Sequence, residues 1–247
     1  MPIRIYLKEN NSFRRKVIMN LSYISLTVGA LLLFWSFYPV ISFVIYSQLF
    51  IQKNILSPIP NSNIVSSLKE ASSVLGSYDV YSNNLKDFTQ AKLWFPTKQQ
   101  EVVTKKLDVK EYSMSIPKLN ISKAKVKVGE EDLSKSLVHY IPTSLPGEYG
   151  NVAIFGHSTL PQLFNVKDYK TIFTYLPSLE KGDKIIVYIG DLSYEYEVYD
   201  MFVVKPDQVS VLEQKYDASY LTLVTCVPPG TYWNRLVVKA KMTKLQG

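Results

Sequence analysis

The pattern of apolar and polar positions divides the chain into three parts. Between positions 17 and 52 no residue carries a formal charge, and Leu, Ile, Val, Phe, Tyr and Trp dominate. A membrane helix needs about 20 apolar residues, so this stretch holds one span with room left over, but not two spans and a turn. The pattern predicts one transmembrane helix at 17–38, inside an anchor of residues 17–51, with Pro39 marking a kink or the outer end. Residues 52–111 read as an extracytoplasmic linker or stalk. The string SPIPNSN at 57–63 places two prolines among small polar residues, a poor core sequence. A short helix is expected at 64–75, and the apolar cluster Trp94-Phe95-Pro96 is expected to dock on the following domain rather than face water.

From Tyr112 the texture changes to short strands. Residues 124–128 alternate small or apolar side chains with lysine, a half-buried strand. Further strands are predicted at 137–141, 151–155, 184–189, 194–204, 220–225 and 236–241. Leu145-Pro146-Gly147 marks a turn, and Gly190-Asp191 a hairpin. The tyrosine-rich alternation from Tyr194 to Tyr199 suits a half-exposed sheet edge. Helical signal is brief, at 131–136 and within 169–176. Many short strands with little helix predict a mainly β domain, a barrel or a sandwich, over residues 112–247.

Charge orients the anchor. Arg4, Lys8, Arg14, Arg15 and Lys16 precede the span against one acid, Glu9, so residues 1–16 are assigned to the cytoplasm and Lys53 onward to the outside. A cleaved signal peptide carries a shorter apolar region of about 7–15 residues, which favours an uncleaved, single-pass anchor. The chain has 247 residues, enough after the anchor for one domain with its own core. Its net charge of +7 is spread thinly through the outer part, which points to an anionic membrane or wall surface and away from nucleic acid. One cysteine and two histidines exclude an intrachain disulfide and zinc-type clusters, and no cofactor or metal is expected.

The candidate chemistry rests on Cys226, His157 and Arg235. Cys226 and His157 each follow a predicted buried strand, and Arg235 precedes the last one. If strands 220–225 and 236–241 are neighbours, the loop shaped by Pro228, Pro229 and Gly230 returns Arg235 towards Cys226. A thiolate can hold an acyl group as a thioester, and an imidazole can shuttle the proton. A guanidinium keeps its charge and serves as a fixed donor. Singly, each has a blander reading: a small buried hydrophobe, a loop histidine, a surface charge. His139, inside a strand-like run, reads as a packed or hydrogen-bonded histidine. Asp132, Asp183, Asp191 and Asp207 fall in predicted loops facing water, with a weak calcium site as the alternative.

Together the strings resemble the sortases, membrane-anchored cysteine transpeptidases of bacterial surfaces. TLVTC, ending at Cys226, with Arg235 downstream, resembles the family signature. NVAIFGHS at 151–158 resembles the segment carrying the catalytic histidine, LPGEYGN at 145–151 the approach to it, and SIPKLNI at 115–121 the first strand of the domain. The resemblance implies an eight-stranded sortase β-barrel. It makes Cys226 the nucleophile, His157 the general acid/base and Arg235 the oxyanion or substrate-positioning group, with Thr225 assisting at the oxyanion. It implies surface proteins with C-terminal sorting signals of the Leu-Pro-x-Thr-Gly kind as substrates, and a peptidoglycan precursor or a pilin lysine as amine acceptor. The short Cys226-to-Arg235 loop resembles the pilin-type, D or E subgroups more than class A, and no segment before the barrel matches a known lid motif. The alternatives are a hydrolase of the same fold and a non-catalytic, membrane-anchored binding module.

Overall fold

The computed structural model describes residues 12–50, 90, 94 and 109–246. The expected helix at 64–75 and the proline-rich stretch at 57–63 lie outside the described residues. The chain divides into two compact units between Ser42 and Phe43.

Helix α1 spans Ser12–Phe50, 39 residues. Within it, residues 15–47 are long and apolar enough to cross a membrane. At 1.5 Å per residue the helix reaches roughly 58 Å, well past a hydrocarbon core of about 30 Å. Pro39 lies inside the helix and does not end it.

The rest of the described chain is a closed barrel of eight strands in the order β1-β2-β3-β4-β7-β8-β6-β5. In sequence they are β1 (Glu111–Ile116), β2 (Ile121–Val128), β3 (Leu137–His139), β4 (Gly150–Phe155), β5 (Lys184–Ile189), β6 (Leu192–Val204), β7 (Ser219–Val227) and β8 (Asn234–Gln246). β2–β3 and β4–β7 pair in parallel, and the other neighbours are antiparallel. The mainly β barrel expected from the resemblance is therefore present.

Local chemistry explains where the pattern was followed and where it was overridden. The hairpin at Gly190-Asp191 forms as predicted, with Ile189 opposite Leu192. At Leu145-Pro146-Gly147, Glu148 N–H donates to Leu145 O at 3.1 Å. Gly147 has φ of +89°, and a Cβ there would lie 2.3 Å from the Tyr194 ring, so only glycine fits this turn. SIPKLNI is not one strand. Its first two residues end β1, Pro117–Leu119 form a 3-10 turn, and Ile121 opens β2. Residues 131–136 form turns instead of a helix, because the Asp132 carboxylate accepts from both Ser134 N–H and Oγ–H. Residues 169–175 are likewise turns, with the Thr171 and Thr174 hydroxyls bonded to nearby carbonyls, and only the 3-10 turn Leu176–Ser178 follows. The tyrosine-rich run is not a sheet edge either: β6 pairs with both β5 and β8.

Two apolar clusters hold the barrel. One contains Met114, Ile116, Val126, Val152, Ile154, Leu221, Leu223, Leu236 and Val238. The other lies on the opposite face of β4, β7 and β8, with Ala153, Phe155, Val224, Cys226 and Val237 covered by Leu133, Val211, Leu212 and Trp94. Strands buried on both faces favour apolar residues at successive positions, which is why residues 152–155 of β4 read as a continuous run.

Candidate active site

The site lies at one end of the second cluster, where β4, β7 and β8 end or begin side by side. Cys226 is the penultimate residue of β7 and pairs directly with Arg235, the second residue of β8. The predicted return of Arg235 towards Cys226 is thus a strand register, one that runs two residues further into the loop than the pattern indicated. His157 follows β4. Phe155 pairs in parallel with Val224, and the same ladder continues as Gly156 N–H donates to Val224 O at 3.1 Å. That register sets His157 level with Cys226.

Cross-strand bonds fix this end of the sheet. Ser158 Oγ–H donates to Cys226 O at 2.6 Å, and Thr225 Oγ–H donates to Gly156 O at 2.8 Å. His157 O accepts from Phe173 N–H at 2.9 Å. Gly156 admits close packing: a Cβ there would lie 2.5 Å from Phe173 Cδ2 and 2.6 Å from Leu137 Cδ2. Thr225, expected to assist at the oxyanion, is fully buried with its hydroxyl committed to Gly156 O. Strand alternation turns it to the face opposite Cys226, so it ties strands together.

Arg235 is 4% exposed. Its Nη1 donates to Tyr232 O at 3.0 Å and Asn234 O at 3.2 Å, so carbonyls of its own loop hold the guanidinium. Arg235 Nε and His157 Nε2 are buried without a hydrogen-bond partner. Burying an unpaired polar group costs about 1–3 kcal/mol, and such groups suit a site that awaits a ligand.

Trp94 covers both groups. Its indole is 1% exposed and stacks on Phe155, with ring centroids 5.8 Å apart at 10°. It lies 5.7 Å from the His157 ring, and the Arg235 guanidinium carbon is 5.2 Å from its centroid. Tyr140 stacks on Phe155 at 5.1 Å. The apolar cluster noted at 94–96 therefore docks through its tryptophan, while Phe95 and Pro96 lie outside the described residues. Sequence reasoning missed that the docking point is the site itself. The apolar cluster around Trp94 in an otherwise largely polar linker was the available signal.

The electrostatics favour uncharged partners. Burial pushes the Cys226 thiol pKa up, with Arg235 pulling the other way. Burial draws His157 down to about 4, with Asp132 opposing, Lys170 adding to the drop and Asp168 opposing. At neutral pH the thiol and the imidazole are therefore both uncharged.

The other candidates lie elsewhere. His139 is fully buried and hydrogen-bonded, as expected. Thr143 Oγ–H donates to Tyr140 O, so its oxygen accepts from His139 Nε2–H at 3.1 Å. Nδ1 then accepts from Tyr112 O–H at 2.8 Å, which fixes the neutral Nε2–H tautomer. Asp132 pairs with Lys135, and Asp183 with Lys118. Among the described residues no group of three or more His, Cys, Asp or Glu side chains is placed to hold a metal ion.

A strand-held thiol, imidazole and guanidinium on one barrel face define a class of protein, and comparison with known proteins gives the family. The Sortase domain model matches residues 114–243, and the chain belongs to the sortase family. It is 28% identical over 116 residues to sortase D of Bacillus subtilis, covering 47% of this chain and 53% of that protein. It is 31% identical over 141 residues to sortase A of Bacillus anthracis, covering 56% and 63%. The chain thus spans between half and two thirds of these relatives. Among solved structures, a Clostridium perfringens sortase D5 transpeptidase matches at 28% identity with a TM-score of 0.46, covering 54% of this chain and 78% of that one.

Proposed function

We propose that this protein is a membrane-anchored transpeptidase in which Cys226 is the nucleophile, His157 the general acid/base and Arg235 the oxyanion or substrate-positioning group. The observation that carries this reading is the pairing of Cys226 with Arg235 in a sortase domain, with His157 level with them just past the end of the neighbouring strand β4. The substrate class is a surface protein ending in a sorting signal of the Leu-Pro-x-Thr-Gly kind. The acceptor is an amine of a peptidoglycan precursor or a pilin lysine. The helix at 12–50 anchors the chain in a single pass with its N-terminus in the cytoplasm, so that the domain meets substrates tethered to the same surface.

The proton moves only when it is needed. The Cys226 thiol passes its proton to His157 as sulfur attacks the scissile carbonyl. The oxyanion that forms faces the Arg235 guanidinium. Collapse breaks the C–N bond, and the leaving amine takes the proton from His157, leaving a thioester on Cys226. The acceptor amine then attacks the thioester, gives its proton to His157, and restores the thiol. One amide is exchanged for another, so no external source of free energy is required.

Intact-protein mass spectrometry after mixing with sorting-signal peptides tests the reading. The expected result is an acyl adduct on the wild type that Cys226→Ala lacks, resolved to an amide by an added amine. No adduct with any peptide of a broad library would overturn it. Release to water unaffected by added amine would mark a hydrolase instead.

A further inference from the structure

The sheet face that carries the site continues away from it. Alternation along β8 places Val237 and Lys239 on the face of Arg235, and β7 places Val224 and Thr222 on the face of Cys226. Thr222 pairs with Lys239, four residues or roughly 13 Å along the strands from the Cys226–Arg235 pair. There the face turns from apolar to polar. Lys239 Nζ donates to Val211 O and, at 2.8 Å, to Thr222 Oγ1. The Thr222 hydroxyl donates in turn to Asn151 Oδ1 at 2.6 Å. Gln214 Oε1 accepts from Asn151 N–H at 2.8 Å, and Gln214 Nε2 donates to Asn151 O at 2.9 Å. The β6–β7 connection, with its 3-10 turn Val209–Leu212, is therefore bonded to β8 by a lysine and to β4 by a glutamine. Just beside these bonds Val211 and Leu212 are buried in the same apolar cluster as Cys226, Phe155 and Trp94.

We propose that Lys239 is a positioning residue: it pins the β6–β7 connection against the face that leads to Cys226, and so sets the wall against which the acyl-donor peptide is seated. The part that concerns the peptide rests on the transpeptidase reading; the pin does not. An ammonium suits the place because two of its three N–H groups meet a carbonyl and a hydroxyl oxygen. Burial, with Lys215 adding and Glu213 and Asp200 opposing, draws its pKa to about 8, so the charged form prevails at neutral pH. A methionine of similar length would fill the space and leave both acceptors without their donor. Lys239 touches no reacting atom, so its loss acts through the wall.

The test uses the full chain in detergent micelles and compares wild type with Lys239→Met, Lys239→Gln and Lys239→Arg, each checked for a cooperative thermal transition. Hydrogen exchange of residues 209–214 is followed by mass spectrometry, and turnover is followed with a fluorogenic peptide of core Leu-Pro-Glu-Thr-Gly. Lys239→Met is expected to speed exchange at 209–214 about tenfold, to raise KM about five- to tenfold, and to leave kcat within about twofold, with Lys239→Arg recovering most of both. If Lys239→Met does not fold, Lys239→Gln carries the same comparison. Unchanged exchange at 209–214, or a fall in kcat at constant KM, overturns the proposal. If the wild type turns over no peptide while exchange responds as stated, the pin stands and the failure falls on the transpeptidase reading.

Discussion

Trp94 and Arg235 face each other across the mouth of the site, the guanidinium carbon 5.2 Å from the indole centroid. The contact joins a side chain from the segment before the barrel to one on its last strand. It holds an uncharged surface over a cation that has lost most of its water.

Access to Cys226 should respond to that contact. Cation–π and ring-stacking contributions of about 0.5–2 kcal/mol each are removed by Trp94→Ala, which destabilises the covered form by about 1–3 kcal/mol. The rate of Cys226 labelling by a small thiol reagent is expected to rise about 10- to 100-fold, with Trp94→Phe intermediate. Quenched labelling followed by intact mass measures it. An unchanged rate would show that the indole does not limit access.

Arg235 is expected to be irreplaceable by lysine. Its fork reaches two carbonyls of its own loop while Nε is left pointing at no protein partner, a geometry that a single ammonium cannot copy. Arg235→Ala and Arg235→Lys should each slow acyl-enzyme formation by about 10²–10³-fold in single-turnover experiments, with little change in thermal midpoint for the lysine variant. A lysine variant near wild-type rate would remove the guanidinium from the mechanism.

The pH dependence has two separate components. For catalysis, the lowered His157 and raised Cys226 leave a neutral thiol–imidazole pair as the main form at pH 7. The ultraviolet thiolate absorbance should therefore be weak at neutral pH and grow only in alkaline solution. Strong thiolate absorbance at pH 7 would contradict it.

For stability, His139 titrates at about 4 in the folded chain against 6.5 when unfolded. Between those values the unfolded state binds more protons, so stability is complete above pH 6.5 and falls as pH drops towards 4. The loss amounts to about 3 kcal/mol for a shift of this size, and denaturant midpoints across the range measure it. His157 is drawn down equally and adds a similar loss over the same range, so His139→Gln should remove about half of the dependence, not all of it, while lowering stability at neutral pH.

Gly156→Ala tests how tightly the histidine is held. The added methyl would press on Phe173 and Leu137 at distances no real Cβ adopts. A stability loss of about 1–3 kcal/mol is expected, together with a fall in acylation rate larger than that in a remote variant of equal stability. Equal effects on both would mean that His157 tolerates movement of its strand.

Much of this was legible from the chain. The run 151–155 became β4 because a strand covered on both sides is apolar nearly throughout; its one polar residue, Asn151, is buried with hydrogen-bond partners. The Gly190-Asp191 hairpin and the β7–β8 pairing joined neighbours in sequence, which local signals describe well. The parallel pairings of β2 with β3 and β4 with β7 were not legible, since periodicity reports a face and not a partner. The short helices expected at 131–136 and within 169–176 lost to hydroxyl and carboxylate side chains that bond nearby backbone, leaving only the 3-10 turn that starts at Leu176. Trp94 meets residues 61 and 141 positions further on, Phe155 and Arg235, and no local pattern encodes such a meeting.

The ring of strands has one more implication. Every strand of the described barrel has a neighbour on each side over at least part of its length, so an extended polypeptide would have little open ladder of amides and carbonyls to join there. Recognition would then fall chiefly to side chains lying across the strands, which makes selectivity a matter of pocket shape and charge.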